Sequence, residues 1–239
     1  FLRSNQGGTT RNLVLVLIHS RMETRFFCWK NNHMKVKRIV VVKIGSSVLL
    51  TKRNRLDEFR IAHIADQIVS LRETGIGIVL VVSGAVACGA KFVDLQENKK
   101  KLKQAAAGIG QAICTSLFYE IFKQKNLQIA QVLLVKNNFS SSNLYKILRW
   151  YVERGFIPII NENDVVDLNS FGGNDFLGAE ITTLMGAKKF IVLSAMAGSL
   201  YGIGGGKAKQ QVVRILNQRN VKTMIVDGKI KNILLQTVL

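Results

Sequence analysis

The chain is poor in the residues that stiffen or staple a fold. It has a single proline, Pro158, beside 20 glycines, a balance that suits an α/β protein better than a turn-rich β-sandwich. Its three cysteines, Cys28, Cys88 and Cys114, are odd in number and show no CxxC spacing. That argues against a disulfide framework or a zinc site and makes a reducing compartment the default. The three histidines, His19, His33 and His63, fall in unrelated contexts, with no metal-ligand or general-base pattern. Acids are scarce, 15 against 34 Lys and Arg, for a formal charge of +19. Long apolar runs are missing near the N-terminus, where Leu13–Ile18 is too short to span a bilayer and no small-residue cleavage site follows it.

What is present is a core. Hydrophobic residues make up 48% of 239 residues, enough for one large domain or two small ones. The positive charge is mostly terminal: residues 1–38 carry eight Lys/Arg and one acid, and residues 207–239 carry seven and one. No RNP, zinc-finger or arginine-rich pattern accompanies it, so no specific nucleic-acid partner is expected. Residues 1–35 read as a basic extension, either a transit peptide or sequence upstream of a start at Met34.

Order begins with Ile39–Ile44, a β-branched run typical of a buried parallel strand. Further strands are expected at Ile76–Val82, Ile129–Val135, Phe156–Ile160, Lys189–Leu193 and Lys222–Val226. Helical stretches at Leu56–Thr74, Leu102–Lys125, Asn143–Arg154, Phe176–Met185 and Lys207–Arg219 alternate with them. This alternation predicts βαβ units and a mainly parallel sheet covered on both faces. Ligands on such sheets bind beyond the carboxyl ends of the strands.

The loops there are unusual. Lys43-Ile-Gly-Ser-Ser47 puts a cation beside free backbone N–H groups, as an anion site would, although an ordinary turn reads the same way. Ser83-Gly84, after a buried strand, places Ser83 as a helix N-cap with close ligand approach at Gly84. Asn161-Glu-Asn-Asp164 is four polar residues in a row, too polar for core, and Asn174-Asp175 follows a glycine pair at a helix entrance. Two such clusters suit a polyfunctional ligand or a Mg²⁺–phosphate better than two unrelated caps. Gly202-Ile-Gly-Gly-Gly-Lys-Ala-Lys209 suits either a phosphate cradle or a linker, and it is not the P-loop pattern, because Ala208 stands where Ser or Thr is required.

Taken in order, VVKIGSSVL at 41–49, VVSGAVACG at 81–89, KQAAAGIGQ at 103–111, PIINEND at 158–164, GGNDFLGA at 172–179 and the glycine-lysine stretch at 202–209 resemble the amino acid kinase family. Within it the pairing of KQxxAxxGQ with INEND resembles the glutamate 5-kinase branch. The resemblance covers residues 36–239. It implies a three-layer αβα sandwich around an open, mainly parallel sheet, and ATP-dependent phosphorylation of the γ-carboxylate of L-glutamate with Mg²⁺.

By position, Lys43 would bridge the reacting phosphoryl group and Lys209 would neutralise charge on the ADP side. Asp175 would orient both lysines, and Ser83, Asp164 and Asn174 would hold glutamate. Lys43, Gly45, Ser194, Gly204, Gly205 and Lys209 would contact ATP. The family also implies a cytoplasmic homo-oligomer, away from membranes, with proline as feedback inhibitor. Another acidic substrate, aspartate or N-acetylglutamate, is the alternative, as is a degenerate member that binds without transferring phosphate.

The sequence departs from the family in two places. After the strand ending at Leu193 it reads Ser194-Ala-Met-Ala-Gly-Ser-Leu-Tyr201, with Ala195 and Ala197 where acids are expected. The family carries tens of residues after the position of Tyr201, and here the glycine stretch follows at once. The chain is expected to lack that segment and to stop early, in the apolar run ending at Leu239.

Overall fold

The computed structural model describes residues 35–93, 99–139, 141–195 and 206–239. The expectations for residues 1–34, Tyr201, Gly204 and Gly205, and for Ala197 and Cys28, lie outside those residues.

Each β-branched run forms a strand: β1 Arg38–Ile44, β2 Ile76–Val82, β3 Gln128–Leu134, β4 Phe156–Glu162, β5 Lys189–Ser194 and β6 Lys222–Asp227. They make one sheet in the order β3-β4-β2-β1-β5-β6, with every pairing parallel. Among the described residues the helices are α1 Ser46–Leu49, α2 Glu58–Glu73, α3 Ala85–Gly89, α4 Lys99–Gln124, α5 Ser141–Glu153, α6 Asn174–Leu184, α7 Gly206–Gln218 and α8 Ile233–Val238. The entrance to α2 shows the local logic. The Asp57 side chain accepts the Arg60 N–H at 3.0 Å, a cap worth about 1 kcal/mol, and Gly75 beyond its end takes φ +85°.

Strand alternation divides the core in two. Val40, Val42 and Ile44 of β1 face a layer built on Ile61, Ile64 and Ile68 of α2, Phe118 and Phe122 of α4, and Leu234 and Val238 of α8. Ile39 and Val41 face the other layer, with Leu148 of α5, Leu177 and Ile181 of α6, and Val212 and Leu216 of α7. The described residues therefore form the expected αβα sandwich. By length and composition α4 could cross a membrane, but its Phe118, Ile121 and Phe122 are packed into this core.

Two helix contacts position the site. A Cβ on Gly110 of α4 would lie 1.8 Å from the Ala85 carbonyl oxygen, and one on Gly89 of α3 would lie 1.9 Å from the Ala106 oxygen, so the two backbones touch. On the opposite face, a Cβ on Gly178 would meet the Phe190 ring at 2.6 Å and the Lys43 Cβ at 3.7 Å. Glycine there lets α6 settle directly onto β1.

Two expectations change. Ser83 is not the cap of α3; that position belongs to Gly84, at φ +108°, which only glycine adopts without strain. Asn161 and Glu162 do not lie in a loop: they are the last residues of β4 and are buried, at 2% and 4% exposure. Burial is possible because both are hydrogen-bonded. The apolar run before Leu239 forms α8, whose buried Leu234 and Val238 pack into the core.

Candidate active site

Because all six strands run the same way, their carboxyl ends share one edge. Strand β1 lies between β2 and β5, and the chain leaves β1 and β5 in opposite directions. That divergence makes the crevice above them a topological switch point. Gly45, after β1, donates its N–H to the Leu193 carbonyl at 2.9 Å, and Ser83, after β2, donates to the Ile44 carbonyl at 3.2 Å. The Ser47 hydroxyl accepts the Ala195 N–H at 3.1 Å. A Cβ on Gly45 would fill space 3.8 Å from Lys43 Nζ, a position suited to a close-lying ligand.

Alternation along β1 turns Lys43 toward α6. Its Nζ lies 2.7 Å from Asp175 Oδ1, and Lys209 Nζ, from the first turn of α7, lies 3.7 Å from Oδ2. Three residues far apart in sequence thus form one cluster with two cations on one carboxylate. Burial draws the Lys43 ammonium below the ordinary lysine value, against the pull of Asp175, and Lys209 pushes the same way as burial. The contact between Lys43 Nζ and Asp175 Oδ1 combines charge attraction with hydrogen bonding, and both favour the charged lysine. The cluster has one positive charge in excess, an arrangement that favours an anion. Beside it, Asn174 Oδ1 is buried and has no hydrogen-bond partner among the described residues. An unpaired buried amide oxygen costs about 1–3 kcal/mol, and a ligand donor would relieve it.

A cleft of about 220 Å³ opens at the carboxyl end of β4, lined by Ala85, Gly108, Gln111, Glu162, Asp164 and others. Its wall is built from the two motifs that co-occur in the sequence. Gln111 Oε1 accepts from Asn161 Nδ2 at 2.7 Å, and Gln104 Nε2 donates to the Val165 carbonyl at 2.9 Å. Asp164 Oδ1 accepts the Asn169 N–H at 2.9 Å. Burial raises the Asp164 carboxyl above its usual value, with Asp167 adding to the rise. Glu162 is pushed up to about 7, first by burial, with two backbone N–H groups opposing.

Of the residues singled out from sequence, Lys43, Asp175 and Lys209 come into contact. Asp164 lies in the cleft, and Ser83 precedes Ala85 of its wall by two positions. Asn174 adjoins Asp175, and Ser194 is buried at the end of β5, its carbonyl accepting the Gly228 N–H at 3.3 Å. Among the described residues no hydrogen bond joins Ser83, Asp164 and Asn174 to one another. The sequence placed Glu162, Asn161, Gln104 and Gln111 in motifs without assigning any of them a role of its own. Their signal was available, since polar side chains inside otherwise apolar or small-residue motifs need partners.

Known proteins share this architecture. The chain is similar to an isopentenyl phosphate kinase (TM-score 0.62, 12% identity, covering 84% of this chain and 95% of that one). It is also similar to the UMP kinase of Ureaplasma parvum (TM-score 0.59, 12% identity, 84% and 95%). In sequence it is 36% identical to a glutamate 5-kinase of Thermus thermophilus over 242 residues, covering 85% of this chain and 65% of the relative. It is 30% identical to one of Bacteroides thetaiotaomicron, with 82% and 65% covered. For a glutamate 5-kinase of Clostridium acetobutylicum the figures are 30% identity, with 82% and 90% covered. The chain therefore spans 65% of the length of the Thermus and Bacteroides relatives. Residues 38–229 match the model of the amino acid kinase family, and the chain belongs to that family.

Proposed function

We propose that this site transfers the γ-phosphoryl group of ATP to the γ-carboxylate of L-glutamate, giving glutamyl 5-phosphate, the first step of proline biosynthesis. The observation that carries the reading is the Lys43–Asp175–Lys209 cluster at the carboxyl edge of the sheet. The relatives named glutamate 5-kinase support the choice of substrate.

The chemistry asks little of a base. A carboxylate is already a nucleophile at neutral pH; its oxygen forms the new O–P bond as the bond to the ADP oxygen breaks, and no proton moves. The difficulty is bringing two anions together, which positioned cations overcome. In this reading Lys43 bridges the moving phosphoryl group, Lys209 balances charge on the ADP side, and Asp175 holds both in register. Gly45 and the end of β5 at Ser194 line the nucleotide side. Mg²⁺ entering with ATP supplies further neutralisation and would be held chiefly by phosphate oxygens; among the described residues no group of three acids, cysteines or histidines could cage it. Asp164, Ser83 and the unpaired Asn174 Oδ1 suit the ammonium and carboxylate groups of glutamate.

Within this reading residues 36–239 are the kinase domain, shortened after Tyr201. In support, the Clostridium alignment runs over 240 positions while drawing on 82% of this chain, so the relative carries residues without a counterpart here. A cytoplasmic location, self-association and inhibition by proline go with the same reading.

The test is ATP-dependent hydroxamate formation with glutamate, aspartate and N-acetylglutamate. Turnover with glutamate alone, lost in Lys43→Ala, is expected; preference for another acid, or a Lys43→Ala protein of near-normal activity, overturns the assignment. Ala195 favours a second reading, a member that binds its acid without transferring phosphate, because an apolar, buried side chain stands where the family's acid is expected. Calorimetry with ATP decides between them, since that second reading requires no nucleotide binding.

A further inference from the structure

We propose that Glu162 is a positioning residue, whose carboxylate clamps the glycine turn that presents Asn174 and Asp175 to the ligands. This deepens the glutamate kinase reading and rests on it for its kinetic arm.

The turn before α6 needs an external clamp. Gly172 and Gly173 stand at φ +83° and +113°, and two adjacent glycines have the widest backbone freedom of any dipeptide. Their own backbone holds the turn only in part: the Gly172 N–H donates to the Asn169 carbonyl at 3.0 Å, and the Gly173 carbonyl accepts the Phe176 N–H at 3.0 Å. Gly173 is the N-cap of α6 and makes no side-chain cap bond, so the helix that carries Asp175 begins without the usual anchor.

Glu162 supplies it from the neighbouring strand. Its Oε2 accepts the Phe171 N–H at 3.2 Å, and the Gly173 N–H on the far side of the pair favours the charged carboxylate. The two contacts bracket the glycine pair. Glu162 is itself fixed: its N–H donates to Asn161 Oδ1 at 2.9 Å, and Asn161 Nδ2 donates to Gln111 Oε1 at 2.7 Å. A chain of bonds therefore runs from α4 through the end of β4 to the first turn of α6, and on to Lys43 across the Asp175 ion pair. This path links all three polar motifs physically.

Folding alone gives no reason for a carboxylate here. The position is 4% exposed and faces Asp164 and Asp167, both acidic, with no cation among the groups that perturb it. Burying an acid among acids is costly unless hydrogen bonds compensate. The compensation comes from the turn: the Phe171 N–H bond at 3.2 Å, with the Gly173 N–H adding to it.

The experiment compares Glu162→Met, which keeps length and removes the acceptor, with Glu162→Ala and with Glu162→Gln, which keeps an acceptor oxygen. Circular dichroism verifies folding, amide hydrogen exchange reads residues 169–176, and the hydroxamate assay gives kcat and KM. In the Met and Ala variants, exchange in that segment rises about tenfold or more. Their kcat falls about 100-fold, as expected for a reacting group displaced by roughly 1 Å. The KM for ATP moves far less than kcat. Glu162→Gln recovers most of the protection and most of the turnover. Unchanged exchange in the Met variant, failure of the Gln variant to recover either quantity, or loss of folding in both Met and Ala variants overturns the proposal. A wild-type protein inactive on glutamate refutes the kinase reading instead, and the exchange comparison still decides the clamp.

Discussion

The two halves of the site are held by different physics. Around β1, β5 and α7 it is a charge device: Lys43, Asp175 and Lys209 meet at 2.7 and 3.7 Å, with few directed bonds. Around β4, α3 and α4 it is a hydrogen-bond device, in which Gln104, Gln111, Asn161, Glu162 and Asp164 each have a named partner. The difference follows from the ligands proposed for each half. Phosphates vary little in shape and respond to charge, whereas selecting one small acid among several requires fixed donors and acceptors.

The comparison can be broken first at Lys43. Lys43→Ala should lower kcat by about 10²–10³, while calorimetry finds glutamate still binding, because the cleft wall is untouched. A parallel loss of glutamate affinity would mean that the halves are one unit. The next largest effect is expected from Gly110→Ala. Alanine favours helix by about 1 kcal/mol, but its methyl would sit 1.8 Å from a backbone oxygen. Overpacking of this kind costs about 1–3 kcal/mol, so a thermal melt should show a lower midpoint, with glutamate affinity lost before nucleotide affinity.

Asn174 sharpens the contrast at the boundary. Asn174→Ala removes an unsatisfied buried oxygen, so the protein should be as stable as wild type or slightly more so, by up to about 1 kcal/mol, while the KM for glutamate rises about tenfold. A destabilised variant would show that the oxygen has a partner in the folded protein.

The smallest effect concerns pH. Glu162 is raised in the folded state to about 7 from an ordinary 4.5, mainly by burial. The folded protein therefore holds this proton more tightly than the unfolded chain. The resulting stabilisation is full below the unfolded value and is lost as pH rises through about 7. Asp164, raised for the same reason, adds a change of the same sign. Melting midpoints measured from pH 5 to 8 should fall in wild type and fall less steeply in Glu162→Gln.

Much of the fold was legible because burial writes itself into strands. Ile39–Ile44 and Ile76–Val82 could be little else. The order of strands was not legible, since pairing depends on contacts between β1 and β5 that lie some 150 residues apart. The short helices α1 and α8 were missed because four or six residues carry no period, and α3 was met only through its expected cap. Lys43 and Asp175 were recognisable as motif residues, but their meeting depends on Gly178 letting α6 lie flat on β1, a packing fact. Glu162 was hidden by its company: four polar residues in sequence looked like a loop, and the two that belong to the strand were taken with the two that do not.

The contact between α3 and α4 sets a dimension. Where Gly89 and Gly110 meet, peptide touches peptide, and no side chain separates the helices. The spacing between the segment after β2 and the wall of the cleft is therefore fixed by the thickness of the main chain itself. Changes elsewhere in either helix can alter what the cleft offers a ligand without altering its gauge. A cleft built on such a ruler can drift in chemistry while keeping its width.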